Sequence, residues 1–140
     1  MRASGGVIVL CDEMMGKAIP ESLRSIGYPV TRVVRVRLDG KPDTEWLTIA
    51  GRKGWLVLSK DKRMLHVEDE KNTIIREKVG IIFLTQDMQD LPRLLRLLLN
   101  KWPWICEQNE RQRPFASFIH PNGRTSDIYR RGRITYSLNL

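Results

Sequence analysis

Short apolar runs that alternate with helical patterns constrain the fold of this chain most. Residues 7–11, 55–59 and 80–85 are almost entirely apolar, which is typical of strands buried on both faces of a sheet. A fourth run, residues 30–36, interleaves valines with arginines and predicts a strand near a sheet edge. Helical patterns occur at residues 16–26, 43–52 and 91–102. This alternation predicts an α/β fold, a three-layer α/β/α sandwich around a mostly parallel central sheet.

The last forty residues follow a different pattern. Pro103 is expected to end or kink the preceding helix. Segments at 114–119, 128–129 and 134–138, with a Pro-Asn-Gly turn at 121–123, predict a small antiparallel β-hairpin or an addition to the sheet edge. A chain of 140 residues is expected to form one domain. We divide it into a core over residues 7–102 and a C-terminal hairpin extension over residues 103–140.

The charge of the chain favours a polyanionic partner. The formal net charge is +8 and the pI is near 9.9, and for such a chain nucleic acid is a commoner partner than an acidic membrane. The alternative is a basic surface that is simply solvated. The last forty residues carry seven basic and three acidic side chains. Their arginines are expected to form an exposed basic patch: Arg111, Arg113, Arg124, Arg130, Arg131 and Arg133.

Cysteine usage and hydropathy indicate the compartment. Cys11 and Cys106 have no metal-ligand spacing and are expected to be reduced packing residues. No apolar run approaches the roughly 18 residues of a membrane-spanning helix, and the stretch at 7–10 is too short for the core of a signal peptide. We therefore expect a cytoplasmic protein without a membrane partner.

Acidic residues stand where predicted elements begin or end. Asp12 and Glu13 follow the strand at 7–11, and Asp61 follows the strand at 55–59. Asp43 opens a helix and shares its face with Trp46. In open parallel sheets, ligands bind beyond the carboxyl ends of strands where the strand order reverses. If the first and third strands are neighbours, the acids that follow them converge, and the start of the Asp43 helix can reach the same crevice.

Such a group of carboxylates suits a hard divalent cation. Three clustered acids repel one another unless a cation is bound, and Mg²⁺ or Mn²⁺ binds through a few carboxylates while keeping several waters. The ion could activate water and neutralise charge on a phosphodiester. Each acid taken alone is more often a turn residue or helix cap. Beside Asp61, three cations are candidate contacts to RNA phosphates: Lys60, Lys62 and Arg63.

At these positions the chain resembles the PIN-domain superfamily of metal-dependent ribonucleases, and most closely the short PIN-like toxins of toxin–antitoxin modules. The resemblance covers about residues 7–85 and includes Ser59-Lys60-Asp61, which matches the family's Thr/Ser-Arg/Lys-Asp signature after a strand. Its other marks are a strand ending in Asp12-Glu13, a helix ending at Ile26-Gly27-Tyr28, and Asp43 followed by Trp46, Leu47 and Ala50.

The resemblance implies an RNA-cleaving hydrolase that uses Mg²⁺ or Mn²⁺. It implies that Asp12, Asp43 and Asp61 are the catalytic, metal-binding acids, with Glu13 as a further candidate ligand. It also implies an RNA substrate and a small antitoxin protein as partners, and it is compatible with a homodimer. Larger PIN domains have another acid before the position of Asp43. Here only Glu21 and Asp39 are available, and neither is well placed.

Two other functions are compatible with the same pattern. A receiver-like phosphoacceptor domain also groups acids at strand ends, but it needs a lysine after its fifth strand, and no late strand here ends in lysine. A non-catalytic PIN-like module would bind RNA or a partner protein without cleavage. Salt-sensitive RNA binding without cutting would indicate that module.

Overall fold

Six strands form one sheet in the computed structural model, which describes residues 6–34, 40–85 and 90–127 and the backbone of 129–130 and 133–134. The strand order is β2-β1-β3-β4-β5-β6, with β1 to β5 parallel and β6 antiparallel. The bounds are β1 Val9–Cys11, β2 Val30–Arg32, β3 Leu56–Ser59, β4 Gly80–Leu84, β5 Phe115–Ile119 and β6 Thr125–Asp127. Two further strands, β7 Tyr129–Arg130 and β8 Arg133–Ile134, pair antiparallel with each other.

Helices cover both faces of this sheet. They are α1 Ala18–Ser25, α2 Asp43–Lys53, α3 Glu68–Arg76 and α4 Leu91–Gln108, with 3₁₀ turns at Glu13–Met15 and Lys62–Leu65. On one face Leu23 of α1 and Leu98 of α4 belong to one apolar cluster. On the other face Trp46 of α2 and Ile74 of α3 belong to a second. The predicted three-layer α/β/α sandwich is therefore confirmed.

Burial on both faces of the sheet explains why the apolar run of β1 is continuous. Val9 and Cys11 point into the cluster beneath α1 and α4, whereas Leu10 points into the cluster beneath α2. Because successive side chains of a strand face opposite sides, a strand covered on both faces needs apolar residues throughout. β2 has only β1 as a neighbour, so its predicted place at the sheet edge is confirmed.

The first and third strands are neighbours, which was the condition for the acids after them to converge. Val9 lies beside Leu56 and Cys11 beside Leu58, in parallel register. The chain passes from β1 to β2 on one side and later to β3 on the other, which is the flavodoxin-like order with its switch point between β1 and β3. We call the edge at which β1, β3, β4 and β5 end the carboxyl edge.

The expected end of a helix at Pro103 is wrong, because α4 continues to Gln108. A proline inside a helix costs about 3 kcal/mol. Against that, Trp102 and Ile105 are both buried in the cluster beneath α4, and burying such side chains contributes roughly 1.5–3 kcal/mol each. Packing therefore outweighs the local preference, and the boundary drawn at 102/103 falls within a helix.

The C-terminal hairpin is present, but its first strand belongs to the main sheet. β5 pairs parallel with β4 and antiparallel with β6, and Phe115 and Phe118 are fully buried. Gly123 donates its backbone N–H to the carbonyl of His120 at 2.8 Å, which closes the turn predicted at 121–123. The strand predicted at 134–138 lies almost entirely outside the described residues.

The predicted exposed basic patch is wrong for two of its arginines. Arg111 is half-buried and donates to Gln108 Oε1 at 2.9 Å, Ser117 Oγ at 2.7 Å and Asp127 Oδ1 at 3.1 Å. Arg113 donates to the Trp55 carbonyl at 3.1 Å and to Asn109 Oδ1 at 2.7 Å. Carboxylate, amide and carbonyl oxygens supplied by the fold hold these guanidinium groups. Arg124 is exposed, and the side chains of Arg130, Arg131 and Arg133 lie outside the described residues.

Gly51 allows α2 to pack closely against the end of α3. A Cβ atom at this position would meet the backbone carbonyl oxygen of Glu77 and lie 2.9 Å from the Glu77 Cβ. Gly51→Ala should therefore lower the free energy of unfolding by about 1–3 kcal/mol, although alanine improves helix propensity by about 1 kcal/mol. Urea denaturation measures the change, with Glu45→Ala, at an exposed position of the same helix, as the control. A more stable Gly51→Ala protein would show that Glu77 can move away from position 51 at little cost in free energy.

The structure bears on the expectations about the two cysteines and about membrane-spanning helices. Cys11 is buried, Cys106 is half-buried, and both are free thiols. Among the described helices, none combines the length and apolar composition that crossing a bilayer requires.

Candidate metal centre

Asp12 is a buried carboxylate at the end of β1. The residue is only 4% exposed, although it lies next to the surface turn Glu13–Met15. Its Oδ2 accepts a hydrogen bond from Ser59 Oγ at 2.5 Å, and Ser59 Oγ in turn accepts from the backbone N–H of Asp61 at 2.9 Å. Its Oδ1 is buried and has no hydrogen-bond partner among the described residues. One carboxylate oxygen is thus held in place while the other is left without a partner.

The surroundings of Asp12 disfavour its negative charge. The pKa of this carboxyl is raised to about 7, chiefly by burial and also by the charges of Asp43 and Asp61, against the opposing effects of the Ser59 hydrogen bond and a backbone hydrogen bond from Met15. A buried carboxylate without a compensating partner is costly. A cation bound at Oδ1 would remove most of that cost.

Asp43 lies in the first turn of α2 with its carboxylate held by a core residue. The indole Nε1 of Trp46 donates to Asp43 Oδ1 at 2.9 Å, and Trp46 is only 2% exposed. Because the tryptophan is fixed in the core, its N–H sets the orientation of the carboxylate. Trp46 is thus a core residue whose indole N–H is directed at the Asp43 carboxylate.

Asp61 is engaged by an arginine two residues further along the chain. Arg63 Nε donates to Asp61 Oδ1 at 2.9 Å and Arg63 Nη2 to Oδ2 at 3.4 Å, while the Arg63 backbone N–H also reaches Oδ1 at 3.2 Å. The Asp61 side chain is 11% exposed and that of Arg63 is 80% exposed. The guanidinium occupies both oxygens that a cation would use, but solvent surrounds it, so it can swing away.

Removing this guanidinium should make Asp61 more available to a cation. We expect Arg63→Gln to lower the Mn²⁺ concentration for half-maximal binding by about two- to five-fold, since an exposed ion pair competes only weakly. Isothermal titration calorimetry measures the shift, with Arg93→Gln as a control that removes an exposed arginine on α4. Weaker Mn²⁺ binding by Arg63→Gln would show that the arginine supports the site instead of competing for it.

Glu70 is a fourth carboxylate at the site, and the sequence analysis missed it. It lies in the first turn of α3, half-buried, and its side chain is hydrogen-bonded to that of Asp43. The pKa of Glu70 is raised to about 7, chiefly by burial and also by the hydrogen bond to Asp43 and the charges of Asp43 and Asp61, while the charge of Arg63 opposes the shift. The sequence gives one weak signal, an acid nine residues after Asp61. Only the packing of α2 against α3 brings it to Asp43.

Other predicted residues have separate partners. Glu13 is exposed, and its Oε1 accepts from the Gly40 backbone N–H at 3.0 Å. Glu21 pairs with Arg32 at 3.3 Å, and Asp39 lies outside the described residues. Lys62 Nζ donates to the Thr85 carbonyl at 2.9 Å, which ties the turn after β3 to the end of β4. Lys60 is half-buried beside Asp61, and the RNA contacts of both lysines and of Arg63 stay predictions.

A small cavity opens next to Asp12. It has a volume of about 280 Å³ and is lined by Asp12, Glu13, Arg32, Val33 and Val34. Within the described ranges, no three acidic, histidine or cysteine side chains are assembled as a finished metal site. The donor type nevertheless fits Mg²⁺ or Mn²⁺, which take oxygen ligands and bridge gaps with retained waters. The buried Asp12 Oδ1 without a partner is the atom best prepared for such an ion.

A family model for the PIN-like domain matches residues 7–86, which include all three predicted acids and Glu70. The chain belongs to the PIN-like domain family. PIN-like domains are generally nucleases, so this chain has a nuclease-type fold. Among curated proteins and among solved structures, nothing matches the chain significantly. The receiver alternative finds no support at β5 of this PIN-like domain, because that strand is followed by His120 where a receiver would have lysine.

Proposed function

We propose that this PIN-like domain is a metal-dependent endoribonuclease that hydrolyses RNA phosphodiester bonds. One observation carries the proposal: a carboxylate that is 96% buried by the sheet and its turns keeps one oxygen without a partner, close to the charges of Asp43 and Asp61. Burying a carboxylate with one oxygen unpartnered costs stability, and a cation bound at that oxygen would offset the cost. The family match supports nuclease chemistry at this position.

In this proposal Asp12, Asp43 and Asp61 hold Mg²⁺ or Mn²⁺, and Glu70 is added as a fourth acid. When bound, the ion would lower the pKa of a water and neutralise charge on the phosphate. The chain's own contribution is placement. Ser59 holds Asp12 Oδ2 and the Asp61 backbone together, and Trp46 orients Asp43. Glu70 can hold a proton near Asp43 until a cation replaces it.

The biological setting belongs to the same proposal. The resemblance to short PIN-like toxins and the net charge of +8 support an RNA substrate and a small antitoxin as partners, in the cytoplasm, with the protein acting alone or as a homodimer. A second function is favoured by one observation, the guanidinium of Arg63 on Asp61. If that arginine never leaves, the domain would bind RNA without cutting it.

The test is cleavage of total cellular RNA by the purified protein with Mn²⁺, with Mg²⁺ and with chelator. Asp61→Asn should lose cleavage, whereas Glu107→Gln, which alters an exposed acid near the end of α4, should cut like the original protein. Cleavage by Asp61→Asn at the original rate would indicate a contaminating nuclease. RNA binding at low salt without cleavage by any variant would establish the binding module instead.

A further inference from the structure

A second cavity lies between α4 and the turn that joins β5 to β6. Its volume is about 410 Å³, within the range of small-ligand sites. Three cations contribute to the lining and no acid does; Arg93, Arg96, Asn100 and Lys101 come from α4, and Asn122 and Gly123 from the turn. We call this cavity the α4 pocket. Its chemistry indicates an anionic ligand.

The cations of the α4 pocket lie along the first three turns of the helix. Arg93 and Arg96 are three residues apart and therefore neighbours on the helix surface, and Lys101, two turns after Arg93, lines the same cavity. Their side chains form no ion pair with any residue in the described ranges. Asp90, which caps the helix, uses Oδ1 on the backbone N–H of Arg93 at 3.2 Å. Three positive charges therefore line one cavity, and no carboxylate of the described residues forms an ion pair with them.

The turn is shaped to close the pocket from the other side. Gly123 has φ +87°, and a Cβ there would lie 3.4 Å from Lys101 Cε, so the backbone approaches the lysine stem closely. The Asn122 Oδ1 accepts from the backbone N–H of Arg124 at 2.9 Å, which leaves the amide nitrogen as a donor. Amide donors beside fixed cations are groups that recognise phosphate oxygens.

The α4 pocket lies on the same edge of the sheet as the acids. α4 begins after β4 and the turn follows β5, so both start from the carboxyl edge at which Asp61 lies. Lys62 reaches the end of β4 through its 2.9 Å hydrogen bond to Thr85. His120 is the first residue after β5, and its pKa is lowered by burial and by the positive charges of Arg124 and Lys62. Lys62 and Arg124 thus place positive charge near the end of β5, and the turn that lines the pocket follows that strand.

We propose that the α4 pocket binds backbone phosphates of a single RNA strand whose scissile bond lies at the acids on the carboxyl edge. This inference rests on the proposed function. An acidic protein segment fits less well, because protein interfaces bury an apolar core, and only Leu97 and Pro121 give the pocket apolar side chains. A strand of RNA needs cations and amide donors at intervals, which is what this face supplies.

The test uses fluorescence anisotropy with a 5′-labelled twelve-nucleotide RNA and the Asp61→Asn protein, so that binding is measured without cleavage. The pocket variant replaces three cations with glutamine: Arg93→Gln, Arg96→Gln and Lys101→Gln. The control variant removes the same charge near the C-terminal ends of α1, α2 and α3: Arg24→Gln, Lys53→Gln and Arg76→Gln. We expect the pocket variant to bind about tenfold or more weakly and to reduce the salt slope by about two, since each lost single-strand phosphate contact removes roughly 0.7. The control should change the Kd by less than about twofold.

Equal losses in the two variants would overturn the inference, because net charge alone would then explain binding. Poly-glutamate that binds as tightly as RNA, and loses affinity in the pocket variant, would overturn it in favour of an acidic protein partner. In the cleavage-competent background, the pocket variant should raise KM and leave kcat nearly unchanged. Pocket-dependent RNA binding without cleavage would reject the proposed function and keep the pocket. Cleavage with unchanged binding and KM would reject the pocket and keep the function.

Discussion

Asp12→Asn should abolish metal-dependent RNA cleavage and, at pH 8, make the folded protein more stable. Asparagine keeps an oxygen to accept from Ser59 but presents no negative charge to a cation at the position of the unpartnered Oδ1. Because even supporting residues around a metal change activity by 10- to 100-fold, a lost ligand should cost at least about 100-fold in cleavage rate. The opposite signs of the two effects distinguish a functional residue from a structural one.

The stability gain follows from the direction of the pKa shift. The pKa of Asp12 is about 7 in the folded protein, above its ordinary value of 3.8. Between pH 4 and pH 7 the Asp12 carboxyl is ionised in the unfolded chain but still largely protonated in the folded protein. The free energy of unfolding therefore falls as the pH rises through this range, and it levels off once the pH passes 7. Asp12→Asn should therefore gain on the order of 2 kcal/mol at pH 8 and almost nothing at pH 4.

Urea denaturation without divalent cations at the two pH values measures the gain, and a labelled RNA with Mn²⁺ measures cleavage. Glu45→Gln removes an exposed carboxylate from α2 and serves as the matched control for both assays. A less stable Asp12→Asn protein at pH 8 would mean that the carboxylate is a structural hydrogen-bond acceptor, and the argument for a cation would lose its basis.

Binding of Mn²⁺ should weaken steeply as pH falls below 7. Asp12 and Glu70 both have a pKa of about 7 in the absence of a metal, and a cation must displace both protons. The apparent Kd for Mn²⁺ should rise by about 30-fold from pH 7 to pH 6 and be nearly constant above pH 8. The steepness reports how many protons leave when the ion binds.

Glu70→Gln separates the two groups. With one titrating carboxyl left, the Kd should rise by only about fivefold over the same pH interval. Calorimetry in two buffers of different ionisation enthalpy counts the released protons independently, and Glu68→Gln, an exposed acid at the start of α3, is the control. An unchanged pH dependence of Mn²⁺ binding in Glu70→Gln would show that Glu70 does not take part in binding the ion and only contacts Asp43.

Local sequence patterns predicted the strands and their acids because burial on both faces leaves a direct trace. Asp12 follows the apolar run at 7–11. The rule that ligands bind where the strand order reverses then predicted that Asp12 lies near Asp61. The pairing Cys11 with Leu58 bears out that geometry. These inferences needed only the strand period and the connectivity of α/β folds.

The remaining features depend on contacts between distant segments, which one sequence does not display. Glu70 joins Asp43 only because α3 packs on α2, and nothing in the spacing of the two residues marks it. α4 passes through Pro103 because Trp102 and Ile105 bury their side chains on the sheet. Arg111 has a charge typical of a surface, yet Ser117 and Asp127 hold it against the sheet. In each case tertiary packing outweighs the local preference.

The most direct test of the central claim is anomalous diffraction from a crystal of the protein soaked in Mn²⁺. The account predicts a peak next to Asp12 Oδ1 with carboxylate oxygens of Asp43 or Asp61 around it, and the Arg63 guanidinium moved off Asp61. A peak elsewhere, or a fully ordered Arg63–Asp61 pair with no peak at millimolar Mn²⁺, would contradict the account.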